Sequence, residues 1–165
     1  MLRKIKEHIR NYQTRFSFGS SAALITNLGL IVGLDSTSNA RFSIITSILV
    51  IAVADNISDS FGIHVYQESE HIGRREVWFS TATNFLARLL VSLVFVFLVA
   101  WLPIGLAVVC SLAYGLLLLA LISYIIAKDE KASPLFTITE HIGIALAVIL
   151  LSEFVGKWLL TVFKM

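Results

Sequence analysis

Asp55 and Asp59 stand one helical turn apart inside an apolar run that begins near Phe42 and ends at Gly62. An aspartate in a membrane helix is expensive. It is tolerated where it faces a polar cavity, a cation or an opposite charge, so an intramembrane pair marks a functional site. Asp55, Asp59, Gly62 and Tyr66 share one stripe at i, i+4, i+7 and i+11, with Asn56 and Ser60 on its flank and Glu70 extending it. Carboxylate and amide oxygens suit hard or borderline divalent ions such as Mg²⁺, Ca²⁺, Mn²⁺ and Fe²⁺. Carboxyls held in a low dielectric can also exchange protons.

The competing reading is an ion pair with Arg88. Counted from the cytoplasmic ends of their helices, Asp59 lies ~10 Å deep and Arg88 ~13 Å deep at about 1.5 Å per residue, so they can meet. Arg88 alone reads as structural, paired or snorkelling. Glu153 has an i+4 neighbour in Lys157. Glu140 and His141 begin the last helix on the side where a cation would enter. Asn27 bonds across helices rather than within its own. Asn27 and Glu140 join Asp55, Asn56 and Asp59 as candidate metal ligands; Glu68, Glu70 and His71 mark a cytoplasmic mouth. His64 is also on that side, where single histidines are more often interfacial than ligands.

The elements that must position these groups are membrane helices. Hydrophobic residues make up 57% of the 165-residue chain and charged residues 15%, where a soluble domain would carry about a quarter charged. Mean hydropathy is +0.84. Runs of about 20 apolar residues predict an all-α, polytopic membrane protein, one domain over 1–165. Five spans fall at about 16–34, 42–66, 79–100, 103–127 and 135–163, with no internal repeat. Ahead of them, Leu2, Ile5, Ile9, Tyr12 and Phe16 recur at helical spacing among Arg3, Lys4, Lys6, Arg10 and Arg15. That pattern predicts an amphipathic interfacial helix over 1–15, not a secretory signal. The basic N-terminus, Arg74, Arg75, Lys128 and Lys131 place the N-terminus in the cytoplasm, against Arg41, Lys157 and Lys164. In a two-membrane bacterium the helices imply the inner membrane. The lone Cys110 forms no intrachain disulfide. Gly29 and Gly33 form a GxxxG spacing, and Gly143 and Ala147 a similar small-residue pair. On these the expected partners are the lipid bilayer and a second copy of the chain, with Gly29 and Gly33 at the dimer interface. No nucleic acid and no permanently bound cofactor are expected.

The run Phe18-Gly19-Ser-Ser-Ala22-Ala-Leu-Ile-Thr-Asn27-Leu-Gly29-Leu-Ile-Val-Gly33 resembles the first membrane helix of the vacuolar iron transporter family, close to F-G-x-x-D-G-L-V-T-x-x-G-L-V-x-G. Ile57 to Gly62, followed by Ser69-Glu70, is similar to that family's S-M-x-x-G segment and its S-E ending. The resemblance implies a five-span homodimer that exports a divalent metal from the cytoplasm in exchange for protons, through a path lined by the first two helices. The departures are chemical. Ala22 stands at the family's aspartate, Asp59 at its methionine and Ile63 at its glutamate, and the long cytoplasmic insertion is reduced to the loop around Glu68, Glu70, His71 and Glu76. Carboxylate in place of thioether makes the site harder, shifting preference from Fe²⁺ toward Mn²⁺ or Mg²⁺.

Two other functions compete. Ala40-Arg41 followed by spaced aspartates is similar to the CDP-alcohol phosphotransferases. However, Gly33, Ser36 and Thr37 stand where D, D and G belong, Val50 replaces a glycine, and Asp55 and Asp59 are one residue out of register. No Ser/His/Asp set, Cys/His set or phosphate loop offers another chemistry, so no enzyme is expected. The remaining alternative is a non-transporting assembly protein with Asp59–Arg88 as a structural bridge.

Overall fold

The computed structural model describes residues 19–163, and all regular structure within them is helical. The expected interfacial helix over 1–15 lies outside the described residues. Five helices follow: α1 (Gly19–Leu34), α2 (Ala40–Ser69), α3 (Arg74–Trp101), α4 (Ile104–Glu130) and α5 (Pro134–Phe163). α2 to α5 are each long and apolar enough to cross a membrane; α1 is apolar but shorter. The long helices overrun the predicted spans at both ends of α2 and α3. As a result Asp55 falls at the midpoint of α2 and Arg88 at the midpoint of α3. At 1.5 Å per residue Arg88 is about 21 Å from the start of α3, deeper than the sequence count placed it.

Sequence fixes the helix ends. After α2 the chain turns through His71, whose φ of 56° is left-handed, while the amides of Glu70, His71 and Ile72 return to the carbonyls of Tyr66, Glu68 and Gln67. α3 stops ahead of Pro103, which has no amide to continue it. Lys131 closes α4 in a left-handed C-cap, and Pro134 opens α5 at the position where a missing N–H costs nothing. Arg41 has a structural role at the end of α3. It donates from Nη1 to the Ala100 carbonyl and from Nη2 to that of Leu102, each at 2.8 Å, capping the end of α3. A cation there also favours the helix dipole.

α1 is the central helix. Leu24, Leu28 and Ile31 are fully buried, and no residue of α1 is fully exposed. α1 runs parallel to α3, because Gly19 meets Asn84 and Asn27 meets Ser92 at the same sequence offset. It also runs parallel to α5: Gly29 packs on Val148 and Ser152, and Gly33 on Ser152 and Gly156. The close approach that the GxxxG spacing permits is therefore made within the chain, against α5, and not on an outer face. Large apolar side chains such as Leu117, Leu135, Leu150 and Phe154 point outward, as a lipid-facing surface requires.

The α1–α5 crossing yields a test. A Cβ at position 156 would collide with the carbonyl oxygen of Gly33, whereas one at 143 meets nothing within 4 Å. Gly156→Ala is expected to cost about 1–3 kcal/mol by overpacking and Gly143→Ala close to nothing, read by thermal unfolding in detergent or nanodiscs.

Candidate functional site

α2 and α3 form an antiparallel hairpin, and its seam carries the polar side chains. On α2 the buried positions step by four: Ile44, Ile48, Ala52, Asn56, Ser60, His64, then Gln67. Facing them on α3 are Val99, Phe95, Val91, Arg88, Asn84 and Ser80. The half near the α2–α3 turn is a ladder of hydrogen bonds. Gln67 Nε2 donates to Ser80 Oγ at 2.8 Å, His64 Nδ1 lies 3.0 Å from Thr81 Oγ1, and Asn84 Nδ2 donates to Ser60 Oγ at 3.0 Å. The other half of the seam is apolar.

At the centre sits Arg88, 1% exposed. Its Nε donates to Asn56 Oδ1 at 2.7 Å, its Nη2 reaches Asp55 Oδ2 at 2.6 Å and its Nη1 reaches Asp59 Oδ2 at 2.5 Å. The planar fork thus meets three acceptors from one α2 segment, a geometry that lysine could not reproduce. Room for it depends on α1: a Cβ at Gly19 would lie 2.5 Å from Asn84 Oδ1 and 3.2 Å from Arg88 Cγ. One guanidinium serves two carboxylates, so the cluster is net negative when both are ionised. Both carboxylates keep nearly half of their side-chain surface open, 44% for Asp55 and 45% for Asp59. Gly62 and Tyr66 continue this flank and are exposed.

The structure therefore brings Asp55, Asn56, Asp59 and Arg88 together, and the ion pair weighed for Asp59 takes in Asp55 as well. Asn27 is elsewhere: it donates to Ser92 Oγ at 2.9 Å and to the Ala23 carbonyl at 2.8 Å, bridging α1 to α3 one turn beyond Arg88. Glu140 is exposed at the start of α5 and does not approach the cluster; its neighbour His141 bonds Ser123 Oγ on α4 at 2.8 Å. Glu70 and His71 are exposed in the turn, and Glu68 lies 3.4 Å from His64 Nε2. Glu153 takes the bland partner, Lys157 Nζ at 2.6 Å. Gly29 and Gly33 line an apolar groove of about 640 Å³ between α1 and α5. Among the described residues no three His, Cys, Asp or Glu side chains converge as a metal-binding group.

The open stripe of Asp55 and Asp59 is the one that sequence spacing singles out; His64, expected as interfacial, and Gln67 belong to the buried stripe beside it. The available signal was the i+4 recurrence of Asn56, Ser60 and His64, set against Ser80, Asn84 and Arg88 on α3.

Replacing both acids by asparagine while keeping Arg88 leaves a buried guanidinium facing amide oxygens with no opposite charge. Asp55→Asn with Asp59→Asn is expected to lose about 3–5 kcal/mol, and adding Arg88→Leu is expected to restore most of it, because the cost lies in the uncompensated charge. Unfolding in nanodiscs reads both.

No protein-family model, curated protein or solved structure matches this chain.

Proposed function

We propose that this integral membrane protein moves a divalent cation across the bilayer, and that Asp55 and Asp59 are the carboxylates that meet the ion. The observation that carries the reading is the half-open pair: two acids at the centre of a membrane hairpin, sharing one arginine, with one face of each still accessible. Arg88 acts as a resident counter-charge that holds both acids until an arriving cation competes for them. Exchange for protons is what the resemblance to the vacuolar iron transporters implies.

Two oxygen side chains do not complete a divalent shell, so the remaining ligands come from a second copy facing the same flank, where Gly62 allows close approach. All-oxygen ligation favours Mn²⁺ or Mg²⁺ over Fe²⁺. The resemblance of α1 and α2 to the vacuolar iron transporters supports the same class, with the N-terminus cytoplasmic and export as the direction. Ala22 and Ile63, at the family's acidic positions, argue for a relocated site on α2.

One observation favours the alternative of a non-transporting assembly protein: Arg88 is buried, hydrogen-bonded to Asn56 and Asp55, and ion-paired with Asp59. Flux decides between the two. Purified protein in proteoliposomes, with Fe²⁺, Mn²⁺, Co²⁺ and Mg²⁺ offered separately under a pH gradient, is expected to carry Mn²⁺ or Mg²⁺ best. Asp59→Asn, which leaves Asp55 on Arg88, is expected to lower that flux about tenfold or more through the lost ligand. Absence of flux for every ion in folded protein overturns transport and leaves the structural bridge. Flux unchanged in both Asp59→Asn and Asp55→Asn overturns the site.

A further inference from the structure

α1 and α5 cross closely because glycine lies on both sides, at Gly29 and Gly33 on α1 and at Gly156 on α5. Larger side chains line the groove that runs along this crossing, Leu30 and Leu34 from α1 and Leu151, Val155 and Leu159 from α5. Its volume of about 640 Å³ falls in the range of small-molecule sites, ~300–1,000 Å³. Thr26, Thr37 and Ser152 are its only polar residues, too few to hold water along its length. Left empty, its walls would forfeit their dispersion contacts. On α5 the lining runs from Val148 to Leu160, about 18 Å at 1.5 Å per residue. The hydrocarbon core is ~30 Å thick, so one leaflet is about 15 Å deep. The inner end of the groove is at mid-depth: Asn27, next to the lining residue Thr26, bonds Ser92, one turn past the midpoint of α3. The other end is at Thr37, in the turn before α2, where Arg41 holds the last carbonyls of α3. The groove therefore reaches from the middle of the bilayer to one interface, the course of a single lipid chain.

We propose that one acyl chain of a phospholipid lies in the α1–α5 groove, with its head group at the Thr37 end. The charges at that end fit a zwitterionic head group that carries an amine. Lys157 follows Gly156; its Nζ is 2.6 Å from Glu153 Oε1, and 65% of its side chain is open. Asp35 lies just past Gly33, on which Gly156 packs, close enough for its charge to act on Lys157. One cation flanked by two acids complements a phosphate joined to an ammonium, the phosphate on Lys157 Nζ and the ammonium on Asp35 or Glu153. An anionic head group would find the same lysine but would face the surplus acid. Trp158, exposed beside Lys157, is the kind of ring that sits at head-group level. The site is independent of the transport reading, since neither Asp55 nor Asp59 borders the groove.

Native mass spectrometry of the full chain released from detergent micelles tests this, after delipidation and add-back of phosphatidylethanolamine or phosphatidylglycerol. The expected result is one phosphatidylethanolamine per chain, held more tightly than phosphatidylglycerol. Val155→Trp places bulk in the groove from a half-open position and is expected to weaken that binding about tenfold or more. Leu151→Trp, at a more exposed lining position, makes the same change from the next turn, and thermal unfolding in detergent shows which variant keeps the fold. Asp35→Asn is expected to narrow the preference between the two lipids about threefold. Absence of bound lipid, or a spread of lipid adducts that both folded tryptophan variants leave unchanged, overturns the site. A dimer mass that these variants abolish gives the groove to a second copy and overturns the lipid. Equal binding of the two lipids, or a preference unmoved by Asp35→Asn, overturns the head-group assignment.

Discussion

A guanidinium at the midpoint of an apolar helix is the constraint that the rest of the bundle answers to. Arginine does not escape by losing its proton as a lysine can. It sits too deep for its stem to carry the charge to the surface. Burying an ion costs several kcal/mol even after relaxation, so it must be met by opposite charge and by acceptors for its N–H groups. α2 supplies both in one turn. Asp55, Asn56 and Asp59, at i, i+1 and i+4, approach the fork from one side and present three oxygens to it. α1 supplies the space by placing Gly19 over the stem of Arg88.

That match sets the register of the whole α2–α3 hairpin. The apolar half of the seam, with Ile44, Ile48, Phe95 and Val99, would pack almost as well one turn out of step. The polar half would not, because a shift would leave Arg88, Asn84 and His64 without partners, and in a membrane no water waits to replace them. The polar rungs therefore act more as specificity than as net stability. Arg41 fixes the far end by holding the last carbonyls of α3, so the hairpin is pinned at its centre and at both ends.

Much of this was legible in sequence. The apolar runs gave the helices, since spans in a bilayer are set by length and composition alone, and the two acids drew attention because charge is costly there. The Asp59–Arg88 encounter followed from depth counting. Three features were less accessible. Helix ends ran past the apolar segments because polar residues such as Glu68 and Arg74 continue a helix into the interface, and this moved Arg88 to the middle. The facing of Gly29 and Gly33 toward α5 depends on where a helix far along the chain returns, which spacing does not encode. The buried stripe was hidden by its polarity: Asn56, Ser60, His64 and Gln67 look like a solvent face until α3 is seen to carry matching partners.

Among the described residues the arrangement leaves one charge unanswered. Two carboxylates against one guanidinium leave a negative excess halfway along the hairpin, on short side chains that cannot snorkel as lysine or arginine do. Hydrocarbon cannot lie against that flank at acceptable cost. A proton on one acid, a bound cation, water, or the face of another chain must answer it. A purely structural bridge has no need of the second acid, because Asp55 or Asp59 alone would neutralise Arg88. Asn56 already satisfies a further N–H, which makes the surplus acid harder still to explain as packing. The proposed transport function gives the surplus a use: charge to attract an ion, and a resident arginine to compete with it for the acids. On the transport reading proposed above, the open Asp55–Asp59 flank is the face that meets an ion and the closed Arg88 side is the fixed positive charge behind it.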